Sequence, residues 1–199
     1  MRIAIIKLSA MGDIIHAMVA LEFIKQKHPQ STIDWVVEES FAQILENNPH
    51  IDNILPLNLK SIKKQKSKIF TQIKQIKAYA KNGYDVIIDA QGLLKSAITA
   101  KLIANKQSTI VGFDKASIRE GVASYFYDFT VNIAYHENTI DRNVKVLCDY
   151  FDIEPTPQMI IDKEPFLFFQ EDKSVSIDGE YMVLVIGSTW ESRNYPKEK

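Results

Sequence analysis

Asp13 stands four residues after Ser9 and next to Gly12, in the stretch Ser9-Ala10-Met11-Gly12-Asp13 that follows the apolar run RIAIIK. A carboxylate at the mouth of a cleft can act as a general base, taking a proton from a hydroxyl as that oxygen forms a new bond. The same residue type at the start of a helix satisfies orphan amides and favours the helix dipole. The sequence supports both readings of Asp13. Gly12 supplies backbone freedom for a close approach or an unusual dihedral. Lys7 closes the apolar run, an odd place for an ammonium group unless it emerges into a crevice; the plainer reading is a lysine that snorkels from a strand end.

Other cations are more dispersed. Lys95, Arg119 and Arg142 are single residues that surface ion pairs would explain. Between Asn53 and Tyr84 there are eight lysines, Lys60, Lys63 and Lys64 among them, and no Asp or Glu, although the chain's net charge is only −1. Such a run is usually a solvated face, yet the complete lack of acids points to an anionic partner. Nucleic acid, anionic lipid and phosphorylated carbohydrate all fit that description. Aromatics do not interleave the run, which argues against single-stranded nucleic acid, and no nucleic-acid partner is expected.

Several chemistries are disfavoured. No G-x-G-x-x-G follows the first apolar run, so a nicotinamide oxidoreductase lacks its fingerprint, and there is no Walker-type phosphate loop. The four histidines (His16, His28, His50, His136) and the one cysteine, Cys148, show no metal-ligand spacing. His16 reads as a packed or partly exposed histidine and Cys148 as core. A single cysteine forms no intramolecular disulfide and suits a reducing compartment. The opening MRIAIIKLSAMGD is not read as a signal peptide, and no apolar run approaches the roughly 18–20 residues of a membrane span. A cytoplasmic protein, with peripheral attachment to a membrane surface, is the expectation.

The elements that must position these residues alternate. Strands are expected over 2–7, 32–37, 54–57, 84–88, 109–113 and 127–132. Helices are expected over 14–27, 41–45, 70–81, 93–104 and 138–151. That order implies a parallel sheet covered on both faces, a doubly wound α/β domain over residues 1–155. Ligands in such sheets collect beyond the carboxyl ends of the strands, where the loops 9–13, 89–95 and 114–120 should converge. Three prolines, Pro155, Pro157 and Pro165, suggest a linker over 156–180. A fresh apolar strand, YMVLVI, then begins at Tyr181, so residues 181–199 are expected to open a second α/β domain, most of it absent from the 199 residues.

The opening MRIAIIKLSAMGDIIHAMVAL resembles the amino terminus of bacterial ADP-heptose:lipopolysaccharide heptosyltransferases. So do IDWVVEESFAQI (33–44), YDVIIDAQGLLKSA (84–97) and IGSTWESRNYP (186–196). The combination is similar to heptosyltransferase I, the branch acting directly on Kdo-lipid A. The resemblance implies an inverting glycosyltransferase of GT-B architecture, with two Rossmann-like domains. The amino-terminal one would hold the acceptor and the carboxyl-terminal one the nucleotide sugar.

Carried over residue by residue, the resemblance makes Asp13 the catalytic base. Lys7, Ser9 and Gly12 become acceptor-side residues of the same loop. Lys60, Lys63 and Lys64 fall in a basic loop facing the anionic acceptor; that loop is commonly arginine-rich, and lysine keeps the charge but loses bidentate geometry. Lys95, Arg119 and Arg142 fall on further acceptor-side basic positions. Ser188, Thr189 and Arg193 would meet the donor diphosphate. The resemblance further implies no required cofactor or metal, ADP-L-glycero-β-D-manno-heptose as donor, Kdo-lipid A as acceptor, an anionic inner-membrane surface as partner, and a monomer. The family is longer than 199 residues, so the chain as it stands is expected to bind adenine poorly and to be inactive. Rival readings are a heptosyltransferase II-like enzyme acting on a heptosylated core and a non-catalytic module for anionic glycolipid.

Overall fold

The computed structural model describes residues 1–168 and 179–182, with Lys63 described by its backbone alone. The chain divides into two compact units, Met1–Phe169 and Gln170–Lys199. The first is built on six parallel strands: β1 (Arg2–Ile6), β2 (Thr32–Glu38), β3 (Asn53–Leu57), β4 (Val86–Asp89), β5 (Thr109–Phe113) and β6 (Phe129–Val131). Their order across the sheet is β3-β2-β1-β4-β5-β6. The chain winds outward in one direction from β1 to β3, then returns to the other side of β1 to lay down β4. The seam between β1 and β4 is therefore the switch point at which such sheets open a crevice.

Near-continuous apolar strands are what a sheet buried on both faces requires. In β1, Ile3 and Ile5 enter one core layer while Ala4 and Ile6 enter the other, and all four are fully buried. The first layer is closed by α1 (Met11–Met18), α2 (Ala20–Lys27) and α6 (Thr139–Cys148), which contribute Ile14, Met18, Leu21, Ile24, Val144 and Leu147. The second is closed by α4 (Lys68–Tyr79) and α5 (Leu94–Ile103) through Ile76, Ala97, Ala100 and Ile103. Cys148 is buried in the first layer, where burial pushes its thiol up to about 12.

At the amino-terminal edge of the sheet a buried carboxylate gathers three segments. Asp34 of β2 accepts from the Tyr84 hydroxyl at 2.6 Å, from Asn82 at 3.2 Å and from Asn53 of β3 at 2.8 Å. A buried carboxylate needs such partners to offset its lost hydration.

Three elements depart from expectation. The helix expected over 14–27 begins at Met11 and is interrupted at Val19, whose backbone stays helical (φ −54°, ψ −33°). Met11 and Gly12 are exposed, so they carry no apolar period to mark the start. The basic segment expected as a loop contains a short helix, α3 (Lys60–Lys64), where Asn58 Oδ1 accepts from the Ser61 amide at 3.1 Å and lysine's good helix propensity extends the turn. Within the expected linker lies α7 (Pro157–Ile161), and the Phe166 carbonyl accepts from the Asn48 side chain at 3.1 Å. Among the described residues no helix is long and apolar enough to cross a membrane.

Candidate active site at the carboxyl edge

The loops leaving β1 and β4 are tied to each other. Lys7, only 6 % exposed, donates through Nζ to the Ala90 carbonyl at 2.7 Å. Gln91 Oε1 accepts from the Leu8 and Ser9 amides, both at 3.0 Å. Gln91 is held from below by Asp89, whose Oδ1 accepts from the Gln91 and Gly92 amides at 2.9 and 3.1 Å. The Tyr127 hydroxyl donates to Asp89 Oδ2 at 2.8 Å. Burial pushes the Asp89 carboxyl up, and these hydrogen bonds draw it back. Gly112 makes room for the tyrosine, since a Cβ there would collide with the Tyr127 ring. Gly92 has φ +67°, and a Cβ on it would lie 2.7 Å from Ile118, so this turn requires glycine.

Above this layer is a cavity of about 280 Å³, lined among others by Lys7, Asp13, Gln91, Tyr135, Glu137 and Arg142. Asp13 is the third residue of α1 and is half-buried. Its Oδ2 accepts from the Ala10 amide at 3.2 Å, so the carboxylate both caps the helix and faces the cavity. Arg142, on α6, donates to the Ala134 carbonyl at 2.8 Å and the Ser117 carbonyl at 2.7 Å. Its guanidinium lies 5.1 Å from the ring centroids of both Phe113 and Tyr135. A planar cation so placed gains both hydrogen bonds and cation–π attraction.

Lys7 is the electrostatic oddity. Burial lowers its ammonium from 10.5 to about 8; the Asp13 and Asp89 carboxylates oppose that fall and Arg142 adds to it. Two cations and two carboxylates around one small cavity suit a ligand that brings both hydroxyls and negative charge.

Of the residues singled out in the sequence, Lys7, Asp13 and Arg142 are brought together here. Ser9 and Gly12 lie in the same β1–α1 segment. Gly12 differs from its expectation in one respect: it has no positive φ, because it is the second residue of α1, and a Cβ on it would meet only open space. Lys60, Lys64, Lys95 and Arg119 do not line this cavity. Lys60 bonds Ser40 Oγ at 3.3 Å and sits 4.6 Å above the Phe41 ring. Lys64 and Arg119 are exposed, and Lys95 borders a separate groove. The Lys63 side chain and Ser188, Thr189 and Arg193 lie outside what is described. His16 is half-buried.

Besides Asp89, Tyr127, Tyr135 and Glu137, two further residues carry no role in the sequence reading. Gln91 stands in the D-A-Q-G turn after a buried strand, and a long amide at a switch point was the signal for it. Glu38, at the end of β2, is 2 % exposed, and its Oε1 has no hydrogen-bond partner. Burial pushes its carboxyl up, while Lys60, Lys95 and the amides of Lys60 and Leu59 favour its charged form. Among the described residues no cluster of three or more His, Cys, Asp or Glu is placed to hold a metal.

A cation-bearing cavity at the switch point of a 3-2-1-4-5-6 parallel sheet defines a Rossmann-like ligand-binding domain of the kind that makes up half of a GT-B transferase. The chain belongs to glycosyltransferase family 9 (heptosyltransferase), whose family model matches residues 72–199. It is 37% identical over 212 residues to lipopolysaccharide heptosyltransferase 1 of Campylobacter coli, an alignment covering 100% of this chain and 58% of that protein. The structure is similar to the E. coli heptosyltransferase WaaC with ADP (TM-score 0.82, 29% identity) and to WaaC with ADP-2-deoxy-2-fluoro heptose (TM-score 0.82, 28% identity). Each of those matches covers 100% of this chain and 62% of the other. The chain thus spans about three fifths of the length of these relatives.

Proposed function

We propose that this chain is the acceptor-holding part of an inverting heptosyltransferase of the lipopolysaccharide inner core. The enzyme would transfer L-glycero-D-manno-heptose from ADP-heptose to Kdo of Kdo-lipid A. The observation that carries this reading is the meeting of Asp13, Lys7 and Arg142 around one cavity at the β1–β4 seam. Support for the donor comes from the WaaC structures with ADP and an ADP-heptose analogue, and support for an acceptor of the lipopolysaccharide class from the relative named lipopolysaccharide heptosyltransferase 1.

In the proposed reaction Asp13 accepts the proton of a Kdo hydroxyl while that oxygen attacks the anomeric carbon of the heptose. The bond from that carbon to the diphosphate breaks, ADP leaves with the electron pair, and the configuration inverts from β to α. Lys7 and Arg142 counter the acceptor's negative charge. Ser188, Thr189 and Arg193 would stabilise the charge developing on the diphosphate. The chemistry needs no metal or cofactor, because a carboxylate base and fixed cations supply both the proton acceptor and the charge stabilisation. The reaction takes place at the cytoplasmic face of the inner membrane, with a monomer as the working unit.

Replacing Asp13 by Asn retains an oxygen to cap α1 but removes the base. Loss of a positioned base costs about 100- to 10,000-fold in rate. In a polypeptide that also carries the donor-binding domain, transfer of radiolabelled heptose to Kdo-lipid A at the wild-type rate by Asp13→Asn would refute the assignment.

A further inference from the structure

The cavity that holds Asp13 has a wall on α6. Thr139 and Asn143 line it together with Lys7, Asp13 and Arg142, and α6 packs against α1, the helix that carries Asp13. Asn143 is 2% exposed and stands beside Val144, Val146 and Leu147 among the buried residues of α6. Its Nδ2 donates to the Thr139 carbonyl at 2.7 Å. Its Oδ1 is shut off from solvent and has no hydrogen-bond partner among the described residues.

An unsatisfied oxygen in such a place is costly. It gives up its hydration and gains no bond in return. An aliphatic side chain of similar shape would avoid that loss, so packing does not account for an asparagine here. The neighbouring Arg142 can only donate, and both its terminal nitrogens already serve backbone carbonyls. Gln91 Oε1 is taken by the Leu8 and Ser9 amides. The oxygen of Asn143 is thus an unused neutral acceptor in the wall of the cavity. Neutrality matters for a negatively charged sugar: an amide oxygen accepts from its hydroxyls without repelling its charge, as a carboxylate would. The amide turns about Cβ–Cγ, a torsion with broad minima, and among the described residues its side chain is restrained by the one hydrogen bond to Thr139. A modest turn offers Oδ1 to a donor inside the cavity.

We propose that Asn143 Oδ1 accepts a hydrogen bond from an acceptor hydroxyl other than the one deprotonated by Asp13, which makes Asn143 a specificity-determining residue for a polyhydroxylated acid. The proposal rests on the proposed function for the identity of the sugar; the orphaned oxygen and its place in the cavity wall stand without it. A site built to pair with a hydroxyl rejects the analogue that lacks it, because its own polar group is then left unpaired. Lys7 and Arg142 would select the charge of the ligand, and Asn143 would select its hydroxyl pattern.

The test is calorimetric titration of the chain with a deacylated, water-soluble Kdo acceptor and with its monodeoxy analogues. Binding needs no donor, so the readout is independent of transfer. For one analogue the wild-type Kd should rise about tenfold over that of the parent acceptor. Asn143→Leu should bind the parent about tenfold more weakly and should no longer distinguish that analogue, while melting at or above the wild-type temperature. Asn143→Asp keeps an oxygen at this place and should still distinguish it. Asp13→Asn should also distinguish it, which separates this hydroxyl from the one that reacts. Unchanged affinity of Asn143→Leu for the parent, or discrimination among analogues identical to that of the wild type, would overturn the subsite and leave the proposed function standing. A lowered melting temperature in Asn143→Leu, with every analogue weakened alike, would reduce Asn143 to scaffolding and overturn it as well. No binding of the parent by the wild-type chain would overturn the proposed function, and the subsite with it.

Discussion

The side-chain oxygen of Gln91 lies 3.0 Å from the Ser9 amide, and at the same distance from that of Leu8, so one residue of the β4 loop fixes the backbone that leads into Asp13. The two amides sit where a neighbouring strand can no longer serve them, and without an acceptor they would be left in a partly buried place. Asp89 accepts from the Gln91 amide in turn, and the Tyr127 hydroxyl holds Asp89. The base proposed for the reaction is thus positioned from across the seam.

Gln91→Ala should therefore lower stability by about 1–3 kcal/mol, the cost of leaving partly buried donors unsatisfied. Gln91→Glu keeps an acceptor oxygen and should recover most of that loss. Urea-unfolding midpoints of the two variants check this; equal destabilisation by Ala and Glu would contradict it.

Asp13 has two tasks that substitution can separate. Asp13→Asn keeps an oxygen for the Ala10 amide, whereas Asp13→Ala does not and should cost about 1 kcal/mol more. Both variants should lose transfer activity to a similar degree. A thermal melt alongside a rate measurement distinguishes the cap from the base.

Arg142→Lys keeps the charge but loses the planar fork that reaches the Ala134 and Ser117 carbonyls and stacks near Phe113 and Tyr135. A loss of about 1–3 kcal/mol in stability is expected, with a raised KM for acceptor. If the lysine variant melted and bound acceptor like the wild type, the guanidinium geometry would be irrelevant.

Lys7 should leave a mark on the pH dependence of stability. Its folded value of about 8 lies below the ordinary 10.5. Between those values the unfolded chain binds more protons on this amine, so its contribution to stability rises with pH in that window. Below about pH 8 the cost of burying the ammonium is fully present and constant. The full gain is about 3 kcal/mol, and it should be absent from Lys7→Met when unfolding free energies at pH 8 and 10.5 are compared with the wild type. Acceptor binding should weaken in the wild type as pH rises through 8, because the cavity loses a positive charge.

Gly112→Ala tests the support beneath the site. Its Cβ would collide with the Tyr127 ring and displace the hydroxyl that serves Asp89. Overpacking of this kind costs about 1–3 kcal/mol. Tyr127→Phe, which removes the hydroxyl without the clash, should give a smaller loss in the same melting assay.

The sheet was legible because its strands are buried on both faces. Short apolar β-branched runs such as TIVGF, bounded by polar residues, admit few other readings, and β5 falls on residues 109–113 as expected. The joining of Lys7, Asp13 and Arg142 followed less directly: the first two are near in sequence, but α6 brings Arg142 to them by packing against α1. Gln91 was hidden for a different reason. Its role lies in which amides its oxygen reaches, and residue type alone says nothing of that. α3 falls in the segment that the resemblance makes a loop; lysines carry charge without an apolar period, while their helix propensity and the Asn58 turn decide the local structure.

Asp34 gathers Tyr84, Asn82 and Asn53 at the pole of the sheet opposite the cavity. Anchorage there does not depend on any residue that would touch a sugar. Divergence at the rim around Asp13 and Arg142 can consequently retune which glycan is accepted while the scaffold keeps its shape, so related chains with different acceptors should differ first at the rim and last at this knot.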